Sequence, residues 1–367
     1  MKKNLFKRSV ASTLAATLAI TAIPTGTGLM LTGCKKKEVL NVLGYGEYVH
    51  ESVFEKFEEE YGVKVKYDEA ESSEEIYTKF VSGTVDYDLV CASDYMILKM
   101  KNEGLLGKVD YSKLPNASKN IGEDYWSFTQ NFDADNEYAL PYFWGTLGIV
   151  YNSEMVPEGI DSWGALFDGK YKESITMPDS MRDAFMTAYK YLGYSINTTD
   201  KDEIKKAQEL LVKQFPDVYS YALDSARLDV VNEDVALAVV YSGDGYKACC
   251  EGSSAGSKIE YVVPKEGSNV FIDCFAMAAK PQNEEAAKNF LDFLCREDIG
   301  RINFDYSYYA TPNTAVYENL PEDVKNNPYL FPDIKELESR LEVLTMVDQD
   351  TLDYMTGLWN ELMADLE

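Results

Sequence analysis

The sequence predicts an α/β protein of two lobes. Three features point there. A β-α-β-α-β-α rhythm runs over residues 40–103, a second run of strands and helices starts at 147, and 367 residues suit two domains. Apolar residues make up 46% and aromatics 13%, too much for a disordered chain.

The elements follow in order. Residues 40–43 read as a strand. Val53, Phe57 and Tyr61 mark one helical face, with glutamates on the other, and Gly62 ends that helix. Residues 63–67 alternate as a strand does. Ser73 opens a helix through Phe80, with Glu74 and Glu75 in its first turn. Residues 87–91 form a short apolar strand, and 95–103 a helix closed at Gly104. Beyond the restart, 147–151, 175–177, 235–241, 259–263 and 273–279 read as strands. Residues 182–192, 203–214 and 284–296 read as helices, as does the acidic-faced stretch from Ile334. There is no internal repeat, and the chain passes between the lobes more than once.

The first residues are an address. Lys2, Lys3, Lys7 and Arg8 precede a largely apolar run, 10–31, closed by Leu31-Thr32-Gly33-Cys34. Residues 1–33 read as a secretory signal. Its ending resembles the bacterial lipoprotein signal, cleaved before a cysteine that is then acylated, which makes Cys34 the lipidation site and 34–38 a linker. A retained signal anchor is the alternative, weakened by Pro24, Gly26 and Gly28. Cleavage removes four cations and no acids. It leaves 31 Lys+Arg against 62 Asp+Glu, a formal charge of -31, where the whole chain carries -27. Such a chain repels phosphate backbones, which excludes nucleic acid as a partner. No later stretch approaches the roughly 18 apolar residues of a membrane span.

His50 is the only histidine, so no His-rich metal site can form, and a histidine triad would need that residue. No metal and no cofactor is expected. Cys91, Cys249, Cys250, Cys274 and Cys295 fit neither a disulfide scaffold nor a zinc ribbon. They read as buried free thiols, with one long-range bridge left open. Gly44-Tyr45-Gly46 lacks the third glycine of a dinucleotide loop, and Glu47 would repel a pyrophosphate. Gly252 to Gly256 spells a Gly-x-Ser-x-Gly string around Ser254 and reads as a loop, since no strand precedes it and no histidine follows.

What stands out is a set of aromatic and polar residues just after strands. Tyr45, Glu47 and Tyr48 follow the first, and Ser93, Asp94 and Tyr95 the third. Arg182 and Asp183 follow 175–177, Tyr241 and Asp244 end the apolar strand, and Phe271 and Asp273 sit at another strand's edge. Ligands of open α/β sheets bind at such positions. Ring faces with carboxylates beside them suit an organic cation, at about 0.5–2 kcal/mol per ring contact. Ordinary rim packing and a solvated acidic face would leave the same residues in the same places.

Ordered motifs resolve that choice. GYGEYV at 44–49, YDLV at 87–90 with Ser93, LPYFWG at 140–145, Ser162-Trp163 and RDAF at 182–185 come first. LGYSINTTD at 192–200, VVPKEG at 262–267, FIDCFAM at 271–277 and ATPN at 310–313 follow. Over about 270 residues the chain resembles the spermidine/putrescine-binding proteins of bacterial polyamine ABC transporters. The resemblance implies a two-lobed, type II periplasmic-binding-protein-like fold. Each lobe would be a mainly parallel sheet with flanking helices, joined by a hinge of crossover segments. Lobe 1 would hold 39–146 and 274–317, and lobe 2 147–273 and 318–367. By position, Tyr45, Tyr241 and Phe271 would form an aromatic box, with Tyr48, Tyr95 and Tyr309 as further walls. Asp183 and Asp273 would hold ammonium groups and Arg182 would orient the acids. Glu47, Ser93 and Asp94 would add polar contacts. The box positions are commonly Trp in the family, Ser180 stands where an acid is frequent, and Asp183 is shorter than the usual Glu. A C-terminal polar ligand residue cannot be aligned over 336–350.

The expected protein is therefore a monomeric, lipid-anchored receptor, not an enzyme. It would capture putrescine or spermidine between its lobes and hand it to an ABC permease. A receptor or sensory co-receptor for another organic cation is the alternative, and a secreted carboxylate-dependent hydrolase the more distant one.

Overall fold

The computed structural model describes residues 38–223, 225–332 and 340–364. The signal sequence, Cys34 and all but the last residue of the linker lie outside the described residues. Lys37–Glu367 forms one compact unit.

Its described strands are β1 (Glu38–Tyr45), β2 (Val63–Ala70), β3 (Leu89–Ser93), β4 (Leu106–Gly107), β5 (Leu140–Asn152) and β6 (Ile175–Met177). Then come β7 (Val218–Tyr221), β8 (Leu237–Tyr241), β9 (Ile259–Val262), β10 (Ser268–Ala278) and β11 (Leu341–Glu342). They join in the order β2-β1-β3-β10-β5-β8-β6-β7, with β4 and β11 on β10 and β9 on β5. β1 is parallel to β2 and β3, and β6 is parallel to β7 and β8. Parallel neighbours need crossovers, and capped helices supply them. In Glu51–Tyr61 the His50 ring accepts from the Ser52 N–H at the start, and Gly62 takes φ 72° at the end. Ser72 caps Ser73–Ser82 by accepting from the Glu75 N–H. The one histidine thus works as a helix cap.

β5 and β10 differ from the other strands. They are 13 and 11 residues long, buried throughout, and antiparallel to every strand they pair with except the short β11, which runs parallel to β10. Residues 140–146 of β5 pair with β10, and 147–152 pair with β8 and β9. One long strand therefore serves two sets of parallel strands. Apolar clusters cover both sets. Leu40, Phe57, Phe275 and Phe290 lie in one cluster and Leu43, Ile76 and Ile97 in a second. On the other side are Trp163, Phe185 and Leu237, then Val150, Val240 and Tyr261. The sheet is mixed because these long strands cross it.

Three expectations need correction. The stretch from Ile334 is not uniformly helical: β11 and an irregular run over 343–348 precede the helix Gln349–Met363, and 334–339 lie outside the described residues. The string around Ser254 is no loop but the last turn of the helix Ser242–Ala255, capped by Gly256 at φ 90°. Its glycines hid that helix from propensity reasoning. They are needed for close approach: a Cβ on Gly243 would lie 2.4 Å from the Tyr309 ring, and one on Gly245 2.2 Å from the Tyr261 ring. The described cysteines are free, with Cys91, Cys274 and Cys295 buried but Cys249 and Cys250 only partly so. Among the described residues no helix is long and apolar enough to cross a membrane.

Candidate functional site

Strands from both parallel sets end at one cleft. Tyr45 is the last residue of β1, Ser93 of β3 and Tyr241 of β8. Arg182 and Asp183 lie in the first turn of Met181–Leu192, directly after β6. Phe271 and Asp273 come from β10, whose register shifts between Asp273 and Cys274. A bulge of this kind re-aims side chains. Tyr309 follows the helix Glu297–Ser307, through Tyr308 at φ 62°. All twelve residues named from the sequence line one cleft, with an empty volume of about 910 Å³.

The rings form a connected wall. Tyr45 and Tyr48 are 4.9 Å apart between centroids, Tyr48 and Tyr309 5.3 Å, Phe271 and Tyr309 6.3 Å, and Tyr241 and Phe271 5.2 Å. Such spacings are ordinary for edge and tilted aromatic contacts. Gly145 leaves room for Phe271, since a Cβ there would sit 3.1 Å from its ring.

Carboxylates stand between the rings, and neutral hydroxyls hold most of them. Tyr48 donates to Asp273 Oδ2 at 2.6 Å and Ser93 to Oδ1 at 2.7 Å. Tyr241 donates to Asp183 Oδ2 at 2.7 Å, and Tyr95 to Glu74 Oε1 at 3.0 Å. The Tyr45 hydroxyl lies 2.5 Å from Ser73 Oγ and 2.9 Å from Ser93 Oγ. These bonds fix where the negative charge points. Burial pushes Asp273 up to about 6, against the pull of its two hydroxyl bonds. Burial raises Asp183 and Glu74 too, and Arg182 opposes the rise in both. Asp94 is 2% exposed and its Oδ2 has no partner among the described residues, while Oδ1 accepts from the Tyr95 N–H at 2.6 Å. Burial takes its carboxyl to about 8.

A second acidic group is built differently. Tyr309 donates to Asp244 Oδ2 at 2.5 Å. Arg227 approaches Asp244 at 3.7 Å, Glu47 at 3.4 Å and Glu251 at 3.0 Å, and Lys247 donates to Glu47 at 2.5 Å. Burial works to raise Glu47, but the Lys247 bond and the Arg227 charge leave it below its ordinary value. Glu47 also sits at φ 55°, a left-handed conformation that costs about 1–3 kcal/mol outside glycine.

Residues the sequence reading did not place at the site join the lining: Ser73, Glu74, Asn269, Ser307 and Leu344. Ser73 and Glu74 open a helix directly after β2, the same position that singled out the others. Leu344 lies in the stretch where a polar residue was sought, and it gives the cleft an apolar side chain. Ser180 lines the cleft as the cap of Met181–Leu192, its Oγ accepting from the Asp183 N–H. Asp244 also lines the cleft, whereas the neighbouring Asp179 is exposed and is not part of the lining. Among the described residues no three His, Cys, Asp or Glu side chains converge to hold a metal ion.

A family model described as bacterial extracellular solute-binding protein matches residues 52–332. The chain belongs to that family. It is 35% identical over 314 residues to the spermidine/putrescine-binding periplasmic protein of Salmonella typhimurium, covering 84% of this chain and 88% of that one. A solved structure from Listeria monocytogenes, named for a spermidine/putrescine ABC transporter, is 36% identical. It superposes with a TM-score of 0.83 over 89% of this chain and 98% of its own. The spermidine/putrescine ABC transporter substrate-binding protein PotD of Streptococcus pneumoniae is 32% identical, with a TM-score of 0.75 over 89% and 99%. The fold is thus of the type II periplasmic-binding-protein class, and the chain is a transport-associated binding protein, not an enzyme.

Proposed function

We propose that this protein captures a polyamine in the described cleft and delivers it to an ABC permease from the outer face of the cell membrane. The observation that carries the reading is Asp273: a buried carboxylate, walled by rings and held by the hydroxyls of Tyr48 and Ser93. A buried carboxylate without a countercharge is costly, and an arriving ammonium supplies one. The ligand's methylenes lie on Tyr45, Tyr241 and Phe271, and Asp183 receives a second ammonium. Arg182 orients the acids, and Glu47, Ser93, Asp94, Tyr48, Tyr95 and Tyr309 complete the contacts. The names of the relatives support the ligand class.

The lobes are 39–146 with 274–317 and 147–273 with 318–367, hinged where β5 and β10 cross. Closure is driven by contacts that the ligand makes to both lobes at once. The protein works as a monomer, tethered by lipid on Cys34, and the acidic field speeds capture of a polycation.

Calorimetric titration of the Lys37–Glu367 unit with putrescine, spermidine and spermine tests the ligand class, after unfolding and refolding to strip bound amine. Micromolar or tighter binding without turnover is expected. Silence with all three from a folded sample would move the ligand to another cation. A Cys34→Ala variant should leave the membrane fraction for the soluble one; unchanged membrane retention would sink the anchor.

A further inference from the structure

We propose that Arg227 and Lys247 set how many ammonium groups the cleft accepts, by serving as built-in cations for the Glu47–Asp244 side. The inference rests on the polyamine reading and adds a specificity determinant to it.

Three observations carry it. Arg227, on the helix Ala226–Val231, is only 7% exposed in its side chain, yet it faces Glu47, Asp244 and Glu251. A guanidinium is buried in this way only where carboxylates compensate it. Lys247, on Ser242–Ala255, is 13% exposed in its side chain and bonds the same Glu47 oxygen that Arg227 approaches. Glu47 and Asp244, the two of these acids that line the cleft, thus stand against two cations from the chain itself. Around Asp273, Asp183 and Glu74, by contrast, the facing partners are the hydroxyls of Tyr48, Ser93, Tyr241 and Tyr95, and Arg182 is the one cation lining that side among the described residues.

The contacts also join separate parts of the fold. Glu47 follows β1, next to Tyr48 and Val49 in the Phe57–Phe290 cluster. Ala226 and Ala248, neighbours of the two cations, pack in the Val150–Tyr261 cluster. A ligand ammonium arriving at Glu47 or Asp244 would meet two positive groups already in place. A diamine can satisfy the hydroxyl-held side alone. A triamine brings a further ammonium that meets the Glu47–Asp244 side, where Arg227 and Lys247 already stand. Removing a built-in cation would free a carboxylate there.

The test is calorimetry with putrescine and spermidine on the wild-type unit, Arg227→Gln and Lys247→Met. The spermidine-to-putrescine affinity ratio should rise about tenfold in Arg227→Gln, the scale of one charge-assisted hydrogen bond. It should rise about threefold in Lys247→Met, where the outer cation alone is lost. If Arg227→Gln fails to fold, Lys247→Met carries the decision. An unchanged ratio in the folded variants overturns this proposal alone. Wild-type silence with both amines overturns the polyamine reading and this proposal with it.

Discussion

The cleft holds two acidic groups, and they are built on opposite electrostatic plans. Asp273 and Asp183 are buried and held by neutral hydroxyls, so burial dominates and their carboxyls are raised. Glu47 sits near two cations and is lowered. Asp244 lies between these cases: burial raises it, while Tyr309, Arg227 and Lys247 oppose the rise. The difference teaches that counting acids does not locate a cation site. What matters is which acids lack a cation of the chain's own.

The largest expected effect is at Asp273. Asp273→Asn should weaken polyamine binding about 100-fold, the scale of a buried charge-assisted hydrogen bond. Asp110→Asn, on an exposed loop position, should leave affinity unchanged. Titrations of the two variants side by side check this, and equal losses would erase the distinction between the cleft and the general acidic surface.

Next is pH. Asp273 titrates near 6 in the empty cleft, and an ammonium beside it holds the carboxylate ionised, so binding releases a proton below that pH. Polyamine ammonium groups, like lysine's, stay charged there. Affinity should therefore fall as pH drops through 6, by up to about tenfold per unit, and level off above 7. A flat profile from pH 5 to 8 would contradict the raised carboxyl.

The empty protein should show the opposite trend in stability. Asp273 and Asp94 are raised above their unfolded values, so each contributes stability fully below about pH 4 that is lost as pH rises through its folded value, near 6 and 8. Thermal melts should fall in Tm from pH 5 to 8.5 in this respect. Asp94→Asn should flatten that slope and stabilise the empty protein at pH 8.5 by about 1 kcal/mol or more. No change in slope would remove Asp94 as its source.

The smallest effect separates ring from hydroxyl. Tyr241→Ala should cost about tenfold in affinity and Tyr241→Phe less, since the ring face remains while the bond to Asp183 is lost. Equal losses would assign the role to the hydroxyl.

Much of this was legible in the sequence. Short strands and capped helices carry local signals, and 175–177 and the helix stop at Gly62 stand where periodicity put them. The site was legible because strand ends converge, so Tyr45, Ser93 and Tyr241 could be named without contacts. The long strands were read short. β5 begins at Leu140, but buried-throughout strands lack alternation, and Pro141 and Gly145 look like breakers. Ser242–Ala255 was missed because Gly243 and Gly245 serve distant rings, a tertiary need that no local window contains. The Arg227–Glu47 pairing, 180 residues apart in sequence, carries no local signal either.

A crystal structure of the protein with bound putrescine tests the central claim most directly. The account predicts one ammonium within hydrogen-bonding distance of Asp273 and the methylenes against Tyr45, Tyr241 and Phe271, with the Lys247–Glu47 pair intact. An ammonium seated on Glu47 with Asp273 still held by Tyr48 and Ser93 and meeting no ammonium, or a ligand outside this cleft, would contradict it.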